Sequence, residues 1–288
     1  MLWWLKILLK IFLSRLPIKY LSWSKLSIFR HGTMDKPEYA FKVAEKHFNR
    51  ASNTLKNQFT SMEIGPGDSL LSSICMSAFG SSKTYMVDID DFAIQDENLY
   101  YEMYKYIDES TNISINNNPI FKKLSKGSPE EIINTINAKY LTRGIKSLEK
   151  IPDNSIDFIW SQAVLEHIKL NEFDQFMTEL YRILKIDGVS SHRIDLKDHL
   201  SGGLKNLFFS EKIWESNFMS SSGFYTNRIR YNEMISRFIN IGFDVQVINV
   251  DRWEILPDKK QFISKKYSIL PDSELCISGF DIILNKKK

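Results

Sequence analysis

The sequence predicts an α/β fold: a doubly wound sheet of about seven strands with helices on both faces, preceded by an N-terminal amphipathic helix. Three observations predict it. Short apolar runs alternate with amphipathic stretches through most of the 288 residues, the order that lays a sheet between two layers of helices. Gly65-Pro66-Gly67 closes the first run, where a strand has to reverse into a helix. Asp88 ends the second run, 21 positions after Gly67, and strand, glycine turn, helix, strand, acid is the order of a nucleotide-binding βαβ unit.

In chain order, Leu2, Trp3, Trp4, Leu5, Ile7, Leu8, Leu9, Ile11, Phe12 and Leu13 form an apolar run in which Lys6 and Lys10 share one helical face. The run is too short and too charged to span about 30 Å of hydrocarbon, which takes roughly 20 apolar residues, and no small-residue cleavage site follows it. Paired Trp with Lys and Arg15 on the polar side suits peripheral membrane contact through residues 1–20; the same stripe suits packing on the rest of the chain or, in a homo-oligomer, on a second subunit. Pro17 ends this helix.

Asp35 caps the next helix, which carries Tyr39, Phe41, Val43, Ala44 and Phe48. Residues 58–64 read as a buried strand, 70–79 as an apolar helix closed by Gly80, and 84–87 as a second strand. The interval 91–141 is longer than a simple crossover needs and reads as a helical insertion, with helices at 93–109 and 129–139, that covers part of a site or decorates the periphery. Strands follow at 156–160, 188–194, 245–250 and 276–284, with helices at 171–184 and 231–241. The resulting organisation is a helical extension over 1–55 and one domain over 56–288 with its insertion at about 92–140.

Composition narrows the function. Hydrophobic content of 43% and charged content of 25% are those of a folded globular chain. Cys75 and Cys276 form no ligand spacing and no disulfide framework, which fits a reducing compartment, the cytoplasm, at the inner face of the membrane if the first helix binds lipid. Six of the 38 Lys and Arg fall in the first 30 residues, which hold no acid; the remainder has 32 basic against 35 acidic side chains. A basic field for nucleic acid is therefore excluded.

Gly65 and Gly67 permit the positive φ and close backbone approach that a ligand at a helix start requires. Asp88 is placed to accept both hydroxyl protons of a ribose, with Asp90 the cap of the following helix. Two glycines around a proline also make a plain β-turn, so the surroundings decide.

Those surroundings resemble a known family. Glu63-Ile64-Gly65-Pro66-Gly67-Asp68-Ser69 resembles the first motif of class I S-adenosylmethionine-dependent methyltransferases, which have a Rossmann-like sheet, and Val87-Asp88-Ile89-Asp90 resembles the second. The stretch from Ile151 through Asp157, Ser161, Gln162, Leu165, Glu166 and His167 to Ile168 is similar to the strand-four motif. Leu180 to Gly188 is similar to the helix and turn before strand five, with Ile-Asp-Gly for the usual Pro-Gly-Gly. The resemblance covers roughly residues 60–194. It implies S-adenosylmethionine as cofactor, with Glu63, Gly65, Pro66 and Gly67 on its methionine side, Asp88 and Ile89 at the ribose, and Ser161 with Gln162 beneath the sulfonium. Where many relatives carry an acid for adenine, this chain has Ile145 and Lys146, so Ile145 is expected to sandwich the ring. By the same resemblance, His167 supports the turn near the cofactor.

The acceptor side is read from residue types. His192, Arg193, Asp195, Asp198 and His199 crowd the carboxyl end of the fifth strand, where open α/β sheets bind ligands. Asp195, Asp198 and His199 are the candidate bases, because an attacking hydroxyl or amine must lose a proton. Their spacing also suits a metal, but base or substrate contact is preferred and no metal ligand is assigned. Tyr225, Arg228 and Arg230 join His192 and Arg193 as candidates for a sugar ring with a carboxylate or phosphate, although a capped helix start is the simpler reading of 224–231. The function expected is methyl transfer to oxygen or nitrogen of a small-molecule or saccharide acceptor. The competing reading is a non-catalytic cofactor-binding or assembly module; a nicotinamide dehydrogenase needs a fuller glycine motif than this turn provides.

Overall fold

The structure, a computed structural model, describes residues 33–111 and 128–287. The N-terminal amphipathic helix expected before Pro17 lies outside the described residues. The elements are α1 (Pro37–Ala51), β1 (Phe59–Ile64), α2 (Leu71–Ala78), β2 (Ser81–Val87), α3 (Glu97–Ser110), α4 (Pro129–Thr135), β3 (Ala138–Leu141), α5 (Ile145–Leu148), β4 (Ile156–Gln162), α6 (Phe173–Ile183), β5 (Leu184–Asp195), α7 (Glu211–Trp214), α8 (Asn217–Ser220), α9 (Tyr231–Ile241), β6 (Phe243–Arg252), α10 (Lys265–Ser268), α11 (Asp272–Leu275) and β7 (Ile277–Lys286).

The seven strands form one sheet in the order β3-β2-β1-β4-β5-β7-β6, a Rossmann-like arrangement. β1 runs parallel to both β2 and β4. From β1 the chain steps outward to β2 and β3, then returns to β4 on the opposite side. The order reverses between β1 and β4, and such a switch point opens a crevice at the carboxyl ends of its two strands.

Several expected boundaries move. The segment 129–139, expected to be helical throughout, is helical only to Thr135; Asn137 takes a left-handed φ of 54°, and Ala138–Leu141 pair in parallel with Thr84–Val87 as an edge strand. A full ladder with β2 outweighs the high helix propensity of Ala138 and Lys139. The expected cap Asp90 is replaced by Asp96, whose carboxylate accepts from Asn98 N at 3.0 Å at the start of α3. Asp35 is likewise not the cap of α1: the N-cap is Lys36, with Pro37 at the first helical position, where its missing N–H costs nothing. Ser128 and Glu131 form a reciprocal capping box on α4.

The described chain divides into two compact units. The first holds the described residues of Lys19–Gln162, Glu179–His192 and Ile283–Lys288. Its core includes Phe41, Phe59, Ile74, Met86, Met103 and Trp160. Helix α1, inside the segment read as an extension, buries Ala40, Phe41, Val43 and Ala44, and its Phe48 stacks on Phe79 at 4.6 Å between centroids. The described residues of the second unit fall within Ala163–Thr178 and Arg193–Ile282. Its described core includes a small cluster around Trp214, Phe224 and Tyr225 and another around Leu207, Tyr267 and Leu275.

Candidate functional site

At the switch point of the first unit, β1 ends on Glu63 and Ile64, in register with Trp160 and Ser161 of β4 and with Met86 and Val87 of β2. Gly65 and Gly67 then adopt φ of 67° and 66°, a region that side chains with a Cβ rarely enter. Gly65 N donates to Val87 O at 2.8 Å, and Gly67 N donates to Asp88 Oδ2 at 3.1 Å. The glycine turn is thus tied to the end of β2 by both of its glycines. Ser69 closes it by donating to Met34 O.

Two carboxylates face this turn under unusual strain. Glu63 is 2% exposed, and burial pushes its carboxyl up to about 8, opposed by the Ser72 hydroxyl that donates to it and reinforced by the charge of Asp88. Burial likewise pushes Asp88 up to about 6, against the pull of the Ile89 and Gly67 amides. Among the described residues neither carboxylate pairs with a lysine or arginine. A ligand that is cationic and rich in hydroxyl donors relieves both, so these residues fit S-adenosylmethionine, whose sulfonium, ammonium and ribose supply those groups.

The floor beside the turn comes from β4 and β5, with help from α1. Gln162 Oε1 lies 3.1 Å from His47 Nε2, and His47 Nδ1 lies 2.8 Å from Ser191 Oγ. An amide oxygen only accepts, so Nε2 carries the proton and Nδ1 accepts from Ser191. The His47 ring packs on Trp160 at 5.2 Å and is fully buried. His47 was not among the sequence candidates; its place on the apolar face of an amphipathic helix is the only signal it offers there.

Ser161 and His192 are brought together, but as structure. Ser161 Oγ lies 2.7 Å from His192 Nδ1, and Ser190 Oγ lies 2.6 Å from Nε2. All three are fully buried, and burial holds the imidazole neutral, down to about 3. The expectation that His192 meets substrate is corrected: both its ring nitrogens are engaged inside the sheet. Ser161 braces that imidazole, and Gln162, half-buried, is the one of the pair at the crevice.

At the expected adenine end, Gly144 N donates to Asp88 O at 2.8 Å, and a Cβ on Gly144 would stand 3.3 Å from Ile89 Cγ2. Ile89 is 76% exposed and Ile145 half-buried. Two branched apolar side chains therefore stand here, suited to flank a flat ring.

In the second unit most acceptor-side candidates are structural. Asp198 is 2% exposed; its carboxylate accepts from the amides of Leu200, Ser201, Gly202, Gly203 and Lys205. It anchors a loop and has no lone pair to spare for a base, which corrects that reading. Arg228, with a side chain 0% exposed, donates to Glu215 and to the carbonyls of Asn206 and Phe209. Arg230 donates to four carbonyls, those of Leu196, Glu274, Leu275 and Ile277. Tyr225 donates to Glu215 and accepts from Leu170 N. These three hold chain to chain, so their expected part in substrate binding is corrected as well. Arg193 is committed to Asp251 at 2.5 Å and Asp281 at 3.3 Å. Asp195 stays half-buried, with Lys197 Nζ at 3.5 Å, and His199 is exposed. His199 lies edge-on to His167 at 4.6 Å. A cleft of about 280 Å³ in the same unit, lined by Lys169, Asn171, Glu172 and Glu215 among others, involves none of the expected acceptor residues.

Comparison with known proteins gives one family match: residues 62–191 match the model described as "Methyltransferase domain". No curated protein matches the chain. Among solved structures, the chain is similar to a SAM-dependent methyltransferase of Methanosarcina mazei, with 17% identity, 82% of this chain and 95% of that chain covered and a TM-score of 0.48. It is similar to a SAM-dependent methyltransferase of Archaeoglobus fulgidus at 12% identity, covering 86% and 94%, TM-score 0.45. A third likeness is to a Haemonchus contortus phosphoethanolamine N-methyltransferase in complex with S-adenosyl-L-methionine, at 15% identity, covering 94% of this chain and 60% of that one, TM-score 0.49.

Proposed function

We propose that the chain, whose residues 62–191 match a methyltransferase-domain model, is a class I S-adenosylmethionine-dependent methyltransferase that moves the donor's methyl group to an oxygen or nitrogen of a small-molecule or glycan-like acceptor. The observation that carries the donor side is the pair of carboxylates, buried Glu63 and half-buried Asp88, facing a left-handed glycine turn with no described cation between them. In this reading Glu63 and the Gly65-Pro66-Gly67 turn hold the methionine end. Asp88 accepts from the ribose hydroxyls, Ile89 and Ile145 flank adenine, and Gln162 borders the sulfonium.

When bound, the donor supplies an electrophilic methyl group on a positively charged sulfur. The protein's part is to place it for in-line attack and to keep water from it. Of the candidate bases, Asp195 is half-buried and His199 exposed, while Asp198 is buried in its loop. Incubation of the full chain with the donor and candidate acceptors, followed by mass spectrometry, should yield S-adenosylhomocysteine and a product heavier by one methyl group. Asp88→Ala should abolish donor binding in calorimetry with the circular dichroism spectrum unchanged; intact binding in that variant refutes the assignment.

The Lys-rich apolar run in the first 20 residues supports attachment at an anionic membrane surface, which would bring the chain to a lipid-linked acceptor. No described helix is long and apolar enough to cross a membrane.

A further inference from the structure

One cluster in the second unit is not explained by the structural roles of its neighbours. Glu166, His167 and His199 each offer one ligand atom, and the three atoms lie within 4.8 Å of one another. Glu166 and His167 sit in the 3-10 turn Leu165–His167, and His199 on the loop after β5, 32 positions further along the chain.

The glutamate carries the second observation. It is 2% exposed, and Oε1 accepts from Asp195 N at 3.1 Å. Oε2 is buried with no hydrogen-bond partner. A buried carboxylate oxygen without a partner is costly, and Arg193, whose charge acts on Glu166, is committed to Asp251 and Asp281. Such a group persists where a ligand satisfies it.

His167 is oriented in the way metal-binding imidazoles are. Its Nδ1 lies 2.8 Å from Tyr225 O. A carbonyl only accepts, so Nδ1 carries the proton and Nε2 holds the lone pair, the tautomer that a hydrogen bond to the chain prepares for coordination. The Tyr225 carbonyl is itself fixed, since the Tyr225 hydroxyl bridges Glu215 and Leu170 N.

We propose that Glu166, His167 and His199 bind a divalent transition metal ion of the zinc class, leaving a further coordination position open to water or an oxygen ligand. Two imidazoles and one carboxylate suit zinc or cobalt(II), whereas magnesium and calcium take oxygen ligands. Zinc bonds of about 2.0–2.2 Å bring neighbouring ligand atoms to roughly 3.5 Å, so the set closes by about 1 Å around the ion. Exposed His199 provides that movement, while Glu166 and His167 are held by the turn. Binding of the ion does not depend on which acceptor the chain uses.

The test is titration of the untagged, chelator-stripped full chain with cobalt(II), followed by visible absorption, with zinc and magnesium as competitors. One cobalt(II) per chain, with the intense bands of a low-coordinate site, is expected; zinc should displace it and magnesium at the same concentration should not. His199→Ala, at an exposed position, should fold normally by circular dichroism and bind at least about 10-fold more weakly, since losing a ligand costs no less than losing its supporting hydrogen bond. Stoichiometric binding undiminished in His199→Ala, competition by magnesium, or no cobalt bands in the wild-type chain would each overturn the assignment.

Discussion

His47 and Gln162 stand 115 positions apart and meet at 3.1 Å. The histidine sits on a helix that the sequence places before the main fold, and it fixes which way the amide at the end of β4 points. It is a positioning residue. His47→Ala removes the bond to Ser191 and the ring packed on Trp160 as well as the bond that orients Gln162, which is worth about 1 kcal/mol. Calorimetry should show donor affinity reduced roughly five- to tenfold, and His47→Gln, which keeps a donor, should recover part of it. Both variants should stay folded by circular dichroism at the temperature of the titration, His47→Ala melting lower because it leaves a cavity beside Trp160. Asp198 is the opposite case, a residue whose chemistry suggested catalysis and whose surroundings assign it to a loop. Asp198→Ala strands several amides and should cost about 3 kcal/mol in urea denaturation, with donor affinity within twofold of wild type. A sequence shows an ionisable residue after a strand; it does not show that five backbone amides have already claimed it.

Among the elements, the glycine turn is the one whose local chemistry and tertiary role agree. Positive φ at Gly65 and Gly67 follows from a strand that must reverse into α2, and Asp88 lies where β2 delivers it. The stretch after β3 agrees less. Ile145 and Lys146 stand where the resemblance leads one to expect an acid, and whether Ile145 and Ile89 flank a ring depends on Gly144 bringing the start of α5 against the end of β2. The edge strand β3 was hidden because Ala138-Lys139-Tyr140-Leu141 has no strong period of its own and becomes a strand only through its register with β2. The N-terminal apolar run belongs at this scale too. Co-sedimentation with vesicles containing phosphatidylserine should pellet the full chain and leave a variant lacking residues 1–20 in the supernatant; equal pelleting removes the membrane reading.

For the molecule as a whole, the buried carboxylate Glu63 ties stability to pH. Its folded-state carboxyl is raised to about 8 from an ordinary value of 4.5. Below pH 4.5 it is protonated in both states; between 4.5 and 8 only the folded chain holds the proton, so stability falls as pH rises through that window. Asp88, raised to about 6, adds to the early part of the decline. Melting temperature of the donor-free chain should therefore drop between pH 5 and 8, and Glu63→Gln should flatten the slope. The cationic donor should oppose the drop, because it favours the ionised carboxylates. The sequence by itself determined the alternation of strands and helices, the glycine turn and the acid after β2, because these are local patterns set by period, turn geometry and spacing; the donor is what the resemblance of those motifs implies. Only the tertiary structure decided which polar residues serve chemistry and which serve the fold. Whether Arg228, Arg230, Asp198 and His192 have lone pairs or protons to offer, and whether His47 or Glu166 lacks or holds a partner, depends on chain brought in from far along the sequence, and burial then fixes what each charge costs.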